Sequence, residues 1–222
     1  VLRAAEILRK YRRGKENLHK RIIDNEQFWK LRHWEQMEKG GEGGNPQDVR
    51  PASGWLVNCI LNKHADAMDC YPEPTVLPRE PGDRREAEEL SRILPVILKN
   101  NRFKKAYSQA WWNKLKSGCA VYGVFWDAGK LHGLGDIEIR SMDVLNLFWE
   151  PGIKDIEESA NLFYVTLVDR ERLNLMYPEL LGEDTESVAG GTENVEKYKT
   201  EDKTDDSAKV EIIDWYYKKT IN

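Results

Sequence analysis

The residues whose spacing most suggests chemistry run from Gly123 to Ile139, GVFWDAGKLHGLGDIEI. A glycine, a Gly129-Lys130 pair and two further glycines after an apolar run suit a phosphate-cradling loop, whose chemistry would be nucleotide hydrolysis or transfer. That loop needs four residues between its first glycine and the Gly-Lys pair, a hydroxyl after the lysine to hold magnesium, and a helix N-terminus beyond. Here five residues separate Gly123 from Gly129, Leu131 follows the lysine, and the next segment alternates like a strand. Each requirement fails. The same residues suit a β-hairpin loop, with Gly129, Gly133 and Gly135 supplying positive φ and Asp127 at its start.

The stretch HADAMDC, residues 64–70, gathers His64, Asp66, Asp69 and Cys70, all metal-capable types. On a helix Asp66 lies about 200° and Cys70 about 240° around the axis from His64, so the set does not converge on one ion. An amphipathic helix with a polar side accounts for it. His19, His33 and His132 are far apart and adjoin no Cys or Ser motif, so no triad is suggested. Carboxylates are plentiful, but no spacing singles out an acid–base pair. No catalytic or metal residue is assigned, and no cofactor is expected.

One cluster has the composition of a binding surface. Between Arg9 and Arg21 lie seven cations, Arg9, Lys10, Arg12, Arg13, Lys15, Lys20 and Arg21, with one acid, Glu16. The run suits a solvated helix face, a contact with a neighbouring subunit, or direct contact with DNA phosphates. It carries no recognition-helix signature and lacks the serial aromatic interleaving of single-strand binders. Charge is segregated along the chain: residues 1–40 carry eleven Lys/Arg against six Asp/Glu, and residues 182–206 carry nine Asp/Glu against three Lys. A basic arm and an acidic loop on one chain suit nucleic acid or a neighbour of opposite sign.

The elements that must position these groups follow from periodicity. Residues 2–39 read as helix, with Leu8, Tyr11, Leu18, Ile22 and Trp29 at helical intervals and Gly14 as an interruption. Residues 40–51 are a Gly/Pro loop. Ser53 then caps a helix with Val57, Ile60, Leu61, His64 and Met68 on one face. Four prolines in 71–83 exclude helix or central strand. A helix with Leu90, Ile93, Leu94 and Ile97 on one face follows, kinked near Pro95. Another places Phe103, Tyr107, Ala110 and Trp111 together and ends at Gly118. From Cys119 the period becomes two, giving strands at 121–126, around Ile137 and Ile139, at 144–149, at 161–168 and at 209–219. Pro151-Gly152 forms a type II turn, and Asp169 caps a short helix that ends before Pro178. The fold class is α+β, with N-terminal helices packed on a small, mostly antiparallel sheet. The expected divisions are a basic helical arm (1–40), a helical region (52–118), an α+β sheet region (119–181), an acidic mobile loop (182–208) and a strand (209–222) that continues into a further part.

The 222 residues are 40% hydrophobic and 32% charged, which suits a soluble chain with a wide wet surface. Eight Trp and nine Tyr supply large side chains for a core or for subunit contacts. Trp29, Trp34, Trp111, Trp112, Trp126 and Trp149 are read that way. No apolar run approaches the roughly eighteen residues that cross a bilayer, and no signal-peptide pattern opens the chain. Cys59, Cys70 and Cys119, odd in number and widely spaced, point to a reducing compartment. The start at Val1 and the stop at Ile221-Asn222 read as a piece of something longer.

The succession of features carries a resemblance. QFWKLRHWEQ follows a long amphipathic helix, and NPQDVRPASGWLVNCILNKHADAM leads into PEPTVLP. Paired helices end in SGCAVYGVFWD, then come GDIEIRSMDVLNLFWEPG, FYVTLVDRERLNLMYPE and VEIIDWYYKK. In this order the chain resembles the N-terminal part of portal proteins of tailed bacteriophages. The resemblance implies a non-enzymatic subunit of a usually dodecameric ring at one capsid vertex, a conduit for double-stranded DNA in packaging and ejection. It implies the wing region, without the stem helices or clip. It also implies as partners copies of itself, the terminase large subunit, major capsid and scaffolding proteins, and tail or head-completion proteins. No membrane is implied; the location is the virion, after assembly in the bacterial host cytoplasm. The seven cations then become candidates for DNA or subunit contact. A second reading stands beside this one: an intracellular nucleic-acid-processing enzyme domain whose site assembles only in three dimensions.

Overall fold

Residues 2–29 are rich in strong helix formers, and they form one helix, α1 (Leu2–Trp29). Its buried residues, Leu8, Tyr11, Lys15, Ile22 and Glu26, recur at helical spacing as a single stripe. The computed structural model describes residues 2–34, 51–178 and 209–219. The expected loop at 40–51 (all but Pro51) and the acidic loop at 182–208 lie outside the described residues. Two corrections concern α1. It runs unbroken through Gly14, and it ends at Trp29 rather than near residue 39, because Leu31 takes a left-handed φ of 62° just beyond it.

The described residues form two compact units, one within Val1–Lys30 and Val144–Asn222, the other within Leu31–Asp143. In the first, α1 packs on an antiparallel sheet of order β3-β4-β5, with β3 Leu147–Trp149, β4 Asn161–Asp169 and β5 Lys209–Tyr217. The register sets Phe148 opposite Phe163, Phe163 opposite Trp215, and Val165 opposite Ile213, so these side chains share one face. Leu8 and Tyr11 meet that face to make the core, with Phe163 and Val165 fully buried. Tyr11 stands edge-on to Phe163 at 5.9 Å. Trp215 Nε1 donates to Asn161 Oδ1 at 3.0 Å, which satisfies the indole among apolar neighbours. A short helix, α5 (Arg170–Met176), follows β4 with Asp169 at its N-cap position.

The second unit centres on α4 (Phe103–Ser117), against which α2 (Trp55–Asp69), α3 (Arg84–Asn100) and strand β2 (Asp136–Met142) all pack. Strand β1 (Val121–Asp127) pairs with β2 as an antiparallel hairpin. Asn101 joins the helices to this hairpin. Its Oδ1 accepts from the Ile139 amide at 3.2 Å and from Lys130 Nζ at 3.3 Å, and its Nδ2 donates to the Ile97 carbonyl at 2.9 Å.

Three further local expectations are corrected. The N-cap of α2 is Gly54, one residue after Ser53, and no side chain caps it. The segment 144–149 is strand only from Leu147; Val144–Asn146 is a 3-10 turn. It coils there as the Val144 carbonyl turns to the ammonium of Lys15, which also takes the carbonyl of Leu147 at the start of β3. In the hairpin loop Gly133 and Gly135 take positive φ, but Gly129 does not; Leu131 and His132 do, at 50° and 57°. Asp127 Oδ1 holds the Gly129 amide at 2.9 Å, which fixes Gly129 in the turn without left-handed backbone.

Candidate functional site

The geometry divides the seven cations of α1. Lys15 points inward: it is 6% exposed, donates to the carbonyls of Val144 and Leu147, and lies over the rings of Phe148 and Trp149. Arg12 is half-buried, 3.3 Å from Glu211 on β5, with its guanidinium 5.4 Å from the Phe148 centroid. Both cations therefore hold α1 to its sheet. Arg9, Lys10, Arg13, Lys20 and Arg21 are exposed. At about 100° per residue they fall within roughly 120° of arc, opposite the buried stripe. Glu6 and Asp24 lie in that arc and Glu16 about 20° outside its edge, which dilutes its positive charge.

The structure does not gather the histidines. His64 stacks on Trp112 at 4.0 Å, with Nε2 3.1 Å from Ser108 Oγ, so it serves the α2–α4 contact. His19 packs 5.7 Å from Phe148, and His132 sits exposed on the hairpin loop. Asp66, Asp69 and Cys70 are exposed on α2 and at its end. Among the described residues no three His, Cys, Asp or Glu side chains come together in a way that could hold a metal ion. No helix there is long and apolar enough to cross a membrane. The tryptophans split: Trp112 and Trp215 are packed, while Trp55 and Trp126 are 77% and 66% exposed.

Two tyrosines are electrostatically displaced. Burial raises Tyr71 above the ordinary tyrosine value, and the nearby Tyr107 adds to the effect. Tyr122 is raised by burial and then by Tyr107 and Tyr71. The cause is an aromatic cluster: Tyr71 is 5.3 Å from Tyr107, and Phe103 is 5.6 Å from Tyr122.

A second basic surface was missed by reading for motifs. From Leu90 to Trp126 there are seven Lys/Arg and no Asp/Glu. Four of them, Lys99, Arg102, Lys104 and Lys105, cluster where α3 turns into α4, and all four are exposed. The signal that finds them is a charge count along the chain, since lysines spread over two helices and a turn make no motif.

The family model described as Phage P22-like portal protein matches residues 55–222. None of the curated proteins matches the chain.

Proposed function

Because the chain belongs to the Phage P22-like portal protein family, we propose that it forms part of the portal ring of a tailed-phage capsid vertex, the conduit through which double-stranded DNA enters and leaves. The family match over residues 55–222 carries this reading, and its coarse content is a structural role in a bacteriophage portal. The finer content is the proposal: a closed ring of copies, a platform for the terminase large subunit and for capsid, tail or head-completion proteins, and a pore for DNA driven by another chain's ATPase.

Surface chemistry supports assembly. Trp55, Leu77, Val124 and Trp126 are 66% exposed or more, and Leu90, Ile93 and Val96 are about half exposed or more. So many large apolar side chains facing water suit burial against other chains. In a ring each subunit meets its neighbours through two different surfaces, and opposite charge fixes their register. The exposed cations of α1, Arg9, Lys10, Arg13, Lys20 and Arg21, are proposed to face an acidic surface of the neighbouring copy.

The test is imaging of the complete protein by electron microscopy beside native mass spectrometry. Closed rings are expected, with ring yield reduced by Arg13→Glu and Lys20→Glu at low salt. A complete protein that stays monomeric at every concentration and salt refutes the ring reading.

A further inference from the structure

We infer that the α3–α4 corner, Lys99, Arg102, Lys104 and Lys105, binds the phosphate backbone of double-stranded DNA without reading its sequence. The inference rests on the reading that the protein handles DNA, and it moves the DNA contact from α1 to the second unit.

The first support is what the corner lacks. Four exposed cations occur within the seven residues from Lys99 to Lys105, inside a 37-residue stretch free of acids. None of the four pairs with a carboxylate among the described residues. The adjoining hairpin carries Asp127, Asp136 and Glu138; Asp127 accepts from the Gly129 amide at 2.9 Å and Asp136 from the Ile137 amide at 2.7 Å. On α1, by contrast, Lys15 and Arg12 are spent on the fold, and acids lie among the cations.

The fold itself does not call for these charges. Lys104 and Lys105 lie in the first turn of α4, which has no acid and no side-chain cap, and Arg102 before it is left-handed at φ 50°. Cations at a helix N-terminus oppose the macrodipole, and a left-handed arginine is strained. Helix stability would favour acids and a Ser or Asp cap here. Three cations stand in their place, and Asn101 pins the corner to the hairpin through two hydrogen bonds, with a third to the Ile97 carbonyl of α3.

The chemistry of the corner selects the occupant. Interface centres between proteins are depleted of lysine and need apolar or aromatic anchors. The exposed residues here are Lys99, Asn100, Arg102, Lys104 and Lys105; the one apolar residue of the corner, Phe103, is half-buried and turned towards Tyr71 and Tyr122. Phosphate contacts need only cations and amides within reach. The whole chain carries a net charge of −4, so attraction to DNA must be local.

The experiment is fluorescence anisotropy of a labelled duplex of arbitrary sequence with the 222-residue chain, from 50 to 200 mM salt. Four phosphate contacts predict a slope of log affinity on log salt near −3.6, or about a 150-fold loss across that range. The variant Lys99→Gln, Arg102→Asn, Lys104→Gln, Lys105→Gln is expected to lose that salt-dependent binding, whereas Arg9→Gln, Lys10→Gln, Arg13→Gln keeps it. Circular dichroism checks the fold. Should the quadruple variant unfold, Lys104→Gln alone must reduce the slope by about 0.9. Equal binding by the corner variant and the wild type overturns the inference, as does an equal loss in the α1 variant, which would reflect net charge alone. A corner variant that loses ring assembly but keeps DNA affinity also overturns it, by assigning the corner to a neighbouring copy. Rings that form normally in any of these cases leave the portal reading standing.

Discussion

Gly14 of α1 lies directly against Pro151: a Cβ on residue 14 would stand 2.3 Å from Pro151 Cγ. Glycine inside a helix costs about 1 kcal/mol relative to alanine, so propensity alone would favour Gly14→Ala. The rigid pyrrolidine ring reverses the sign. Gly14→Ala is expected to destabilise the first unit by about 1–3 kcal/mol, the range for overpacking. Urea denaturation followed by circular dichroism measures it. A gain in stability would show that the Pro151 turn yields at no cost.

Lys15→Met keeps most of the side-chain volume but leaves the Val144 and Leu147 carbonyls without its ammonium. A buried acceptor left unmade costs about 1–3 kcal/mol, so a loss of about 2 kcal/mol or more is expected. Arg13→Gln, two residues away and exposed, should stay within about 0.5 kcal/mol of wild type. The pair of denaturation midpoints is the readout. Equal effects would mean that burial does not separate these two cations.

Asn101→Ala removes two hydrogen bonds that tie the α3–α4 corner to the hairpin and a third to the Ile97 carbonyl of α3. Expected is a stability loss of about 1–3 kcal/mol. Hydrogen exchange should also show faster exchange at the Ile139 amide. Protection there unchanged in the variant would assign that amide another acceptor.

Tyr71 and Tyr122 carry raised pKa values because burial disfavours phenolate, with neighbouring tyrosines adding to it. The stability this represents is fully present below the unfolded tyrosine value near 10 and is lost as pH rises through the folded values. Phenolate absorbance titration of the folded chain should therefore place part of the tyrosine transition above its position in denaturant. Tyr71→Phe should remove one phenol from the late phase. A titration with no late phase contradicts the cluster's burial.

The positions of helices and strands were legible in the sequence because each depends on a repeat of a few residues: 3.6 for α3 and α4, two for β1 and β4. The hairpin loop was legible for the same reason. Gly133 and Gly135 need local backbone freedom that neighbours within the loop impose. Corrections came where a distant group decided. Residues 144–146 left the ladder because Lys15, 129 residues away, drew the Val144 carbonyl inward. The corner at Lys99–Lys105 escaped motif reading because its cations share no spacing; exposure and the absence of paired acids make them a surface.

By itself the sequence determined the α+β class, the failure of the glycine loop as a nucleotide site, and the order of elements that marks a portal protein. Only the tertiary structure decided which cation of the basic arm is buried. Arg13 and Lys15 carry the same charge two positions apart, but about 200° of helix rotation sets Lys15 under Val144 and Leu147 while Arg13 faces water. Local periodicity gives each side chain a direction; what waits in that direction is set by contacts more than a hundred residues away, which no window of sequence contains.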